Sequence, residues 1–298
     1  MTDLEEVIVR KKEELDHLDQ LLYQKAKYPM DNSLLNRSSI VHPEVYLILA
    51  STCPRGHRLL ITLSHLNLLD QLQVLDLDPI KDEQGNWHFT DLQQARGWPK
   101  CLRDLGGTNQ QPCLYHAGKQ TVLTDDAFHL PKLYISEGLE ADSYSSFFND
   151  QVALWDLYLY QSLSAAIYRT AFCQEERQRR AYEQGLKQQL YLLDRHLADR
   201  KYLMGESFCE ADARLWVTLL RFGIYQQQFD LPVCQLTDYP NLLAYCQFGW
   251  QNPAIRSVTD LARICQTHYQ SLDNRKKYPL KNSLSIEEAF SYLKNWEE

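Results

Sequence analysis

An α+β domain followed by an all-helical domain is the fold class this sequence predicts. Three observations carry it. Between residues 43 and 138, apolar runs of strand length alternate with segments of helical spacing. From about residue 144 onward strand patterns stop and only helical periodicity is left. The composition shift between these regimes, near residue 140, reads as a domain boundary.

The elements follow in order. Residues 1–42 form a charged N-terminal extension. Its first 26 residues read as a helix with apolar positions Leu4, Val7, Leu15, Leu18 and Leu22, but the spacing breaks at Lys11, so an appended arm is expected. Lys27-Tyr28-Pro29-Met30-Asp31-Asn32-Ser33 ends that helix, and a similar string recurs at Lys277-Tyr278-Pro279-Leu280-Lys281-Asn282-Ser283. Two short matches do not make a repeat architecture. Val45–Ala50 is a buried-type strand, followed by Cys53-Pro54 and by Leu59, Leu63 and Leu66 at helical spacing. Gln73–Leu77 is a second strand, and residues 79–110 read as irregular. Gln111–Tyr115 and Lys119–Leu123 flank Ala117-Gly118 as a hairpin, and Thr124–Leu133 reads as a short helix. The order β-α-β then β-β-α is that of a thioredoxin fold.

The helical domain is expected over 144–272, with a polar tail over 273–298. Val152, Trp155, Leu159, Leu163 and Ile167 make one apolar face. Tyr182–Leu197 makes a second, and Ala211, Leu215, Thr218, Phe222 and Tyr225 a third.

Composition excludes several function classes. Of 298 residues, 44% are hydrophobic, enough for a buried core. The net charge is −8 and the cations are dispersed, which argues against nucleic acid as the partner. No run approaches the roughly 20 apolar residues that span a bilayer, and the charged N-terminus lacks the apolar stretch of a secretion signal. A cytoplasmic protein without membrane contact is expected. None of the 8 cysteines forms a C-x-x-C pair, so most read as plain buried thiols.

Cys53 stands apart. Strand, Ser51-Thr52, Cys53-Pro54 and helix, in that order, place the thiol at a helix N-terminus. There unpaired N–H groups, the helix dipole and the cations Arg55, His57 and Arg58 favour the nucleophilic thiolate. The alternative is a buried thiol that merely precedes a helix. Gly56 occupies the position of a dithiol enzyme's second cysteine, so an active Cys53 is a monothiol. Such a thiol needs an outside partner to resolve its mixed disulfide, and glutathione is the cytosolic candidate. Pro112, after Gln111 at the start of the third strand, is either a cis proline facing the thiol or a trans edge-strand proline.

With these residues in hand, the chain resembles the glutathionyl-hydroquinone reductases, the xi-class, omega-like members of the glutathione transferase superfamily. The resemblance rests on Cys53-Pro54-Arg55-Gly56-His57-Arg58 and on Tyr202-Leu203-Met204-Gly205. It continues through Cys209-Glu210-Ala211-Asp212-Ala213-Arg214-Leu215, Asp238-Tyr239-Pro240-Asn241-Leu242 and Gln251-Asn252-Pro253. It covers roughly residues 43–272. It implies an α+β thioredoxin-like N-terminal domain, an all-α glutathione-transferase C-terminal domain and a homodimer. It also implies a Cys53 that attacks a glutathione conjugate, releases a hydroquinone and is freed by a second glutathione. Tyr168, Tyr269 and Tyr225 fall where the family has tyrosines on the quinone side; for Tyr225 packing is the simpler role.

The departures gather around one pocket. Arg55 replaces the family's tryptophan beside the thiol. Asp125-Asp126 replaces the Glu-Ser clamp on the γ-glutamyl end. Asp125 can still accept from an ammonium, whereas Asp126 sets a carboxylate where the ligand's own carboxylate belongs. Gln111 replaces the valine before the proline, and Thr108 stands for an arginine. Cys209 replaces a threonine helix cap, with Ser207 and Glu210 as a substitute box. Two functions stay open: a thiol enzyme acting on aromatic or other thiol conjugates, and a non-catalytic scaffold that has lost glutathione binding. His57 and Cys53 have no second pair at ligand spacing, so no metal is expected.

Overall fold

In the computed structural model, which describes residues 3–23, 27–28, 40–126, 149–270 and 285–293, two short helices, α1 (Asp3–Arg10) and α2 (Lys12–Tyr23), precede a four-stranded sheet. The sheet region runs β1 (Val45–Leu49), α3 (Pro54–His65), β2 (Gln73–Asp76), α4 (Asp91–Ala95), β3 (Cys113–His116) and β4 (Thr121–Thr124). Strand order is β2-β1-β3-β4. β1 pairs parallel with β2, Leu47 opposite Val74, and antiparallel with β3, Leu47 opposite Leu114. β3 and β4 form the expected hairpin, with a register shift between Leu114 and Tyr115. Central strands bury both faces, which is why β1 reads as an unbroken apolar run rather than an alternating one.

Residues 79–110 are more ordered than expected. Thr90 caps α4 through a reciprocal box with Gln93, and Leu102–Asp104 forms a 3-10 turn. Trp87, Phe89, Leu102 and Leu105 from this stretch join Ile48, Cys113, Tyr115 and Val122 in one core cluster. Wide spacing of its apolar residues hid this role, because tertiary contacts rather than periodicity fix the segment. The helix expected at 124–133 lies, past Asp126, outside the described residues; Thr124 itself ends β4.

The helical region comprises α5 (Asp150–Leu159), a π-turn (Tyr160–Ser164), α6 (Ala165–Phe172), α7 (Glu176–His196), α8 (Glu210–Leu219), α9 (Phe222–Gln228), α10 (Pro240–Trp250), α11 (Pro253–Arg256), α12 (Leu261–Gln270) and α13 (Ile286–Phe290). The chain divides into two compact units. One joins Met1–Asp19, Ser145–Arg256 and Arg275–Glu298; the other joins Gln20–Tyr144 and Ser257–Asn274. The faces expected from periodicity are buried at Val152, Trp155, Leu159, Leu163, Ile167, Ala211, Leu215, Phe222 and Tyr225. The expected arm is a correction. The chain breaks at Lys11, but Leu4, Ile8 and Leu15 are fully buried, because the break lets both short helices turn an apolar stripe inward.

Three buried carboxylates tie the helical unit together. Asp212, in the first turn of α8, accepts from the backbone N–H of Leu203 and Cys209 at 2.9 Å and from Tyr245 Oη at 2.7 Å. The cap of α8 is therefore Cys209 with Asp212, not Ser207 with Glu210. The thiol itself lies 3.1 Å from Asp212 Oδ2. Burial pushes the Asp212 carboxyl up, and its hydrogen bonds only partly offset this. Asp194 of α7 accepts from the N–H groups of Asn241 and Leu242 at the start of α10. Asp156 of α5 receives Arg214 of α8 through two bonds, 2.5 and 2.7 Å long. Strings that looked like family motifs are thus helix starts: Cys209–Arg214 is capped by its own Asp212 and tied to Asp156 of α5, and Tyr239-Pro240-Asn241 is held by the remote Asp194.

Asp212→Ala should take the acceptor from two buried backbone N–H groups, the Tyr245 hydroxyl and the Cys209 thiol, and lower unfolding free energy by about 3 kcal/mol, read by urea denaturation. Asp156→Ala, which strands a buried guanidinium, should cost about 3–5 kcal/mol in the same measurement.

Candidate active site

The thiol's position follows from how β1 ends. Cys53 is the N-cap of α3, with extended backbone (φ −75°, ψ 134°), and Pro54 takes the first helical position. Its N–H donates to Ala50 O at 3.1 Å, closing the turn, while its carbonyl accepts the His57 N–H at 2.9 Å, the first bond of the helix. The thiol makes no capping bond and is half-buried. Burial pushes the thiols of Cys113, Cys209, Cys234 and Cys246 up, which keeps them protonated and inert.

Gly56 is a steric requirement. A Cβ there would lie 2.2 Å from Ala50 O and 3.2 Å from Gln111 Oε1. No second cysteine fits, so the geometry itself enforces a single thiol. Gln111 is buried and its side-chain carbonyl accepts the Ala50 N–H at 3.1 Å. The Gln111–Pro112 peptide is cis. Gln111 thus stitches the start of the third strand to the thiol turn, a role its place in the sequence did not signal.

A second set of bonds holds the turn from the other side. Asp76, the last residue of β2, accepts from Ser51 N at 2.8 Å and Ser51 Oγ at 2.7 Å. Arg263 of α12 reaches the same carboxylate at 2.6 Å and Leu77 O at 3.3 Å. Ser51, Asp76 and Arg263 come from three distant stretches, and no motif announced them. The expected ring of cations is only partly formed. Arg55 is exposed and donates to Gln110 Oε1 at 3.2 Å, whereas Arg58 is buried. His57 is fully buried, its Nε2 2.9 Å from Thr259 Oγ1.

The acidic pair has partners from its own chain. Asp125 Oδ1 accepts the Tyr28 N–H at 2.8 Å, and Tyr28 O accepts from Asp125 N at 3.0 Å and Thr124 Oγ1 at 2.9 Å. Thr108 Oγ1 donates to Asp125 Oδ2 at 2.5 Å, which gives the arginine-to-threonine departure a purpose. Tyr28 Oη and Lys27 Nζ both donate to Gly106 O, at 2.7 and 2.8 Å. Asp126 is buried, with its N–H on Thr124 Oγ1 at 3.2 Å. The start of the first Lys-Tyr-Pro string is therefore seated on Asp125; the second string lies outside the described residues.

Within the helical unit, Tyr168 and Tyr225 lie Oη to Oη at 3.5 Å. Tyr225 is buried and stacked on Phe229 (centroids 5.6 Å apart, planes at 10°), and burial pushes its phenol well up. It is part of an aromatic cluster with Phe222 and Phe229. Tyr168 is half-buried at the edge of the same cluster, against Phe172 and Phe229. Tyr269 belongs to α12, but its side chain lies outside the described residues.

A helix-capping monothiol beside a cis-proline strand, with a separate helical unit, invites comparison with known proteins. Residues 174–248 match the glutathione S-transferase C-terminal domain family. The xi-class glutathione transferase from Natrialba magadii superposes with a TM-score of 0.72 at 23% identity, covering 81% of this chain and 79% of that one. The fold is that of a xi-class glutathione transferase. The glutathione-bound structure of YqjG from Escherichia coli gives a TM-score of 0.68 at 20% identity, over 85% of this chain and 89% of that chain. In sequence, the chain is 23% identical over 248 residues to that protein, named a glutathionyl-hydroquinone reductase; the match spans 76% of this chain and 74% of the relative. Among the described residues, no helix is long and apolar enough to cross a membrane.

Gly56→Cys should form no disulfide with Cys53 and should lower stability by about 2 kcal/mol, because the side chain overlaps Ala50 O; thiol counting and thermal melting check both. Asp76→Ala should release Ser51 at a cost of about 1–2 kcal/mol and slow alkylation of Cys53 by iodoacetamide, followed by mass spectrometry.

Proposed function

We propose that this protein is a cytoplasmic, glutathione-dependent reductase that removes glutathione from quinone-derived or other aromatic conjugates, with Cys53 as the nucleophile. The observation that carries this reading is the single half-buried thiol at the start of α3, with Gly56 barring a second one. A relative's name, glutathionyl-hydroquinone reductase, supports the reaction class, and the glutathione-bound structure of the same relative supports the cosubstrate.

The chemistry balances without a further redox group. The Cys53 thiolate attacks the conjugate's sulfur, the S–C(aryl) bond breaks, and the aryl carbon leaves with the electron pair and takes a proton as the free hydroquinone. A Cys53–glutathione disulfide remains. A second glutathione thiolate attacks that disulfide, releases glutathione disulfide and restores Cys53. Gly56 matters here, because an internal thiol would divert the intermediate.

Pro112, Gln111, Arg55, Asp125 and Asp126 are proposed to line the glutathione side, Tyr168 and Tyr269 to contact the aromatic group, and Tyr225 to back Tyr168. Asp125 presents its carboxylate already bonded to Tyr28 and Thr108. Glutathione's amino end therefore has to compete with the chain's own backbone, and the carboxylate of Asp126 opposes that of the ligand. Weak glutathione binding is the consequence, and a homodimer, implied by the resemblance, is the proposed assembly.

The test is turnover of a glutathionyl-hydroquinone with excess glutathione, following hydroquinone and glutathione disulfide in equal amounts. Cys53→Ser should abolish it, and the wild-type enzyme quenched mid-turnover should carry one glutathionyl group on Cys53. Turnover that survives Cys53→Ser would sink the reading. Asp126→Ser should tighten glutathione about tenfold in calorimetry, since two carboxylates at ~4 Å repel by roughly 1–4 kcal/mol depending on local dielectric.

A further inference from the structure

At the far end of β1 from the thiol, three side chains with metal-binding donors meet. We propose that His42, Glu44 and His116 form a binding site for a divalent transition metal, with zinc as the fitting ion. One donor atom from each lies within 4.8 Å of the other two. The His42 and His116 rings are 5.4 Å apart between centroids and tilted by 37°.

The backbone holds these groups in place before any ion arrives. Val45 N donates to His42 O at 2.9 Å, which fixes the turn into β1. Ala117 N donates to Glu44 O at 2.8 Å, one step beyond the Val45–His116 pair of the β1–β3 ladder. Gly118 clears the space for the carboxylate: a Cβ there would lie 2.5 Å from Glu44 Oε1. Donor atoms around a tetrahedral zinc sit about 3.3 Å from each other, given Zn–N and Zn–O bonds near 2.0–2.1 Å. The donors have to draw in from separations of up to 4.8 Å, and His42 and Glu44, both exposed, have room to rotate toward a shared ion. Present contacts do not stand in the way. His42 Nδ1 takes the Glu44 N–H at 3.2 Å and His116 Nδ1 the Lys119 N–H at 3.4 Å, both long bonds that a metal–nitrogen bond would replace.

Two imidazoles with one carboxylate suit zinc, nickel or copper rather than calcium or magnesium, and the absence of a thiolate argues against a copper(I) site. Three protein ligands leave a position for water. The site pins the entry of β1 to the β3–β4 hairpin, about 16 Å from the thiol turn at five residues of strand rise. It is therefore expected to act on stability and to leave thiol chemistry alone.

The sequence alone could not point to this cluster. His42 and Glu44 flank Pro43 in an unremarkable turn, and His116 arrives only through the β1–β3 register.

The test is titration of the full-length protein with zinc chloride in calorimetry, and with cobalt(II) in visible spectroscopy. Expected is one equivalent bound with visible bands of nitrogen and oxygen ligation. Binding should be lost in His116→Ala and His42→Ala, weakened at least about tenfold in Glu44→Gln, and weakened in Gly118→Ala, with circular dichroism unchanged in each. A near-ultraviolet thiolate-to-cobalt band, binding unaltered in His116→Ala, or no binding at millimolar zinc would overturn the proposal.

Discussion

The backbone of Ala50 carries three constraints at once, and the thiol half of the molecule is arranged around them. Its N–H is taken by the Gln111 side chain, its carbonyl receives the Cys53 N–H, and that same carbonyl forbids a side chain at Gly56. One peptide group thus sets where the helix begins, where the third strand is anchored and how many thiols the turn can hold. None of these roles needs a side chain on Ala50 itself, which is fully buried. The Ser51–Asp76–Arg263 bonds then fix the residue that follows. The turn that carries Cys53 is thus fixed by main-chain bonds on one side and, two residues earlier, by the Asp76 carboxylate on Ser51.

The helical unit uses the same device on a larger scale. Asp212, Asp194 and Asp156 are buried acids, and each satisfies donors that helix geometry leaves without a partner or that a neighbouring helix presents. Burying a carboxylate is unfavourable unless its acceptor sites are filled, so these positions tolerate few substitutions. Short strings around them look like motifs for that reason. They record helix starts, and they say more about architecture than about catalysis.

Divergence in the thiol pocket follows a different logic. Asp125 is not left vacant where a ligand clamp was expected. It is paired with Tyr28 along the backbone and with Thr108 through its hydroxyl. Thr108 and Tyr28 thus meet on the same carboxylate from two distant stretches of chain. These bonds fill acceptor positions on a buried carboxylate and hold the Lys27-Tyr28 segment against the sheet unit.

Much of this was legible in the amino-acid order alone. The change from strands to helices, the order of strands in the sheet region, Cys53 before Pro54 and the apolar faces of the helical unit are local properties. Each depends on propensity, periodicity or a residue's immediate neighbours. Gly56 could be read as a missing second thiol, although not as a steric necessity. What only the tertiary structure decided are relations between distant residues: Gln111 on Ala50, Asp76 between Ser51 and Arg263, Tyr28 on Asp125, and His42 beside His116. It also turned an expected N-terminal arm into core and an expected loop at 79–110 into a core wall. The physical reason is the same in each case. Periodicity reports which face of an element is apolar, but hydrogen-bond partners are chosen by strand register and chain path, which no local pattern encodes.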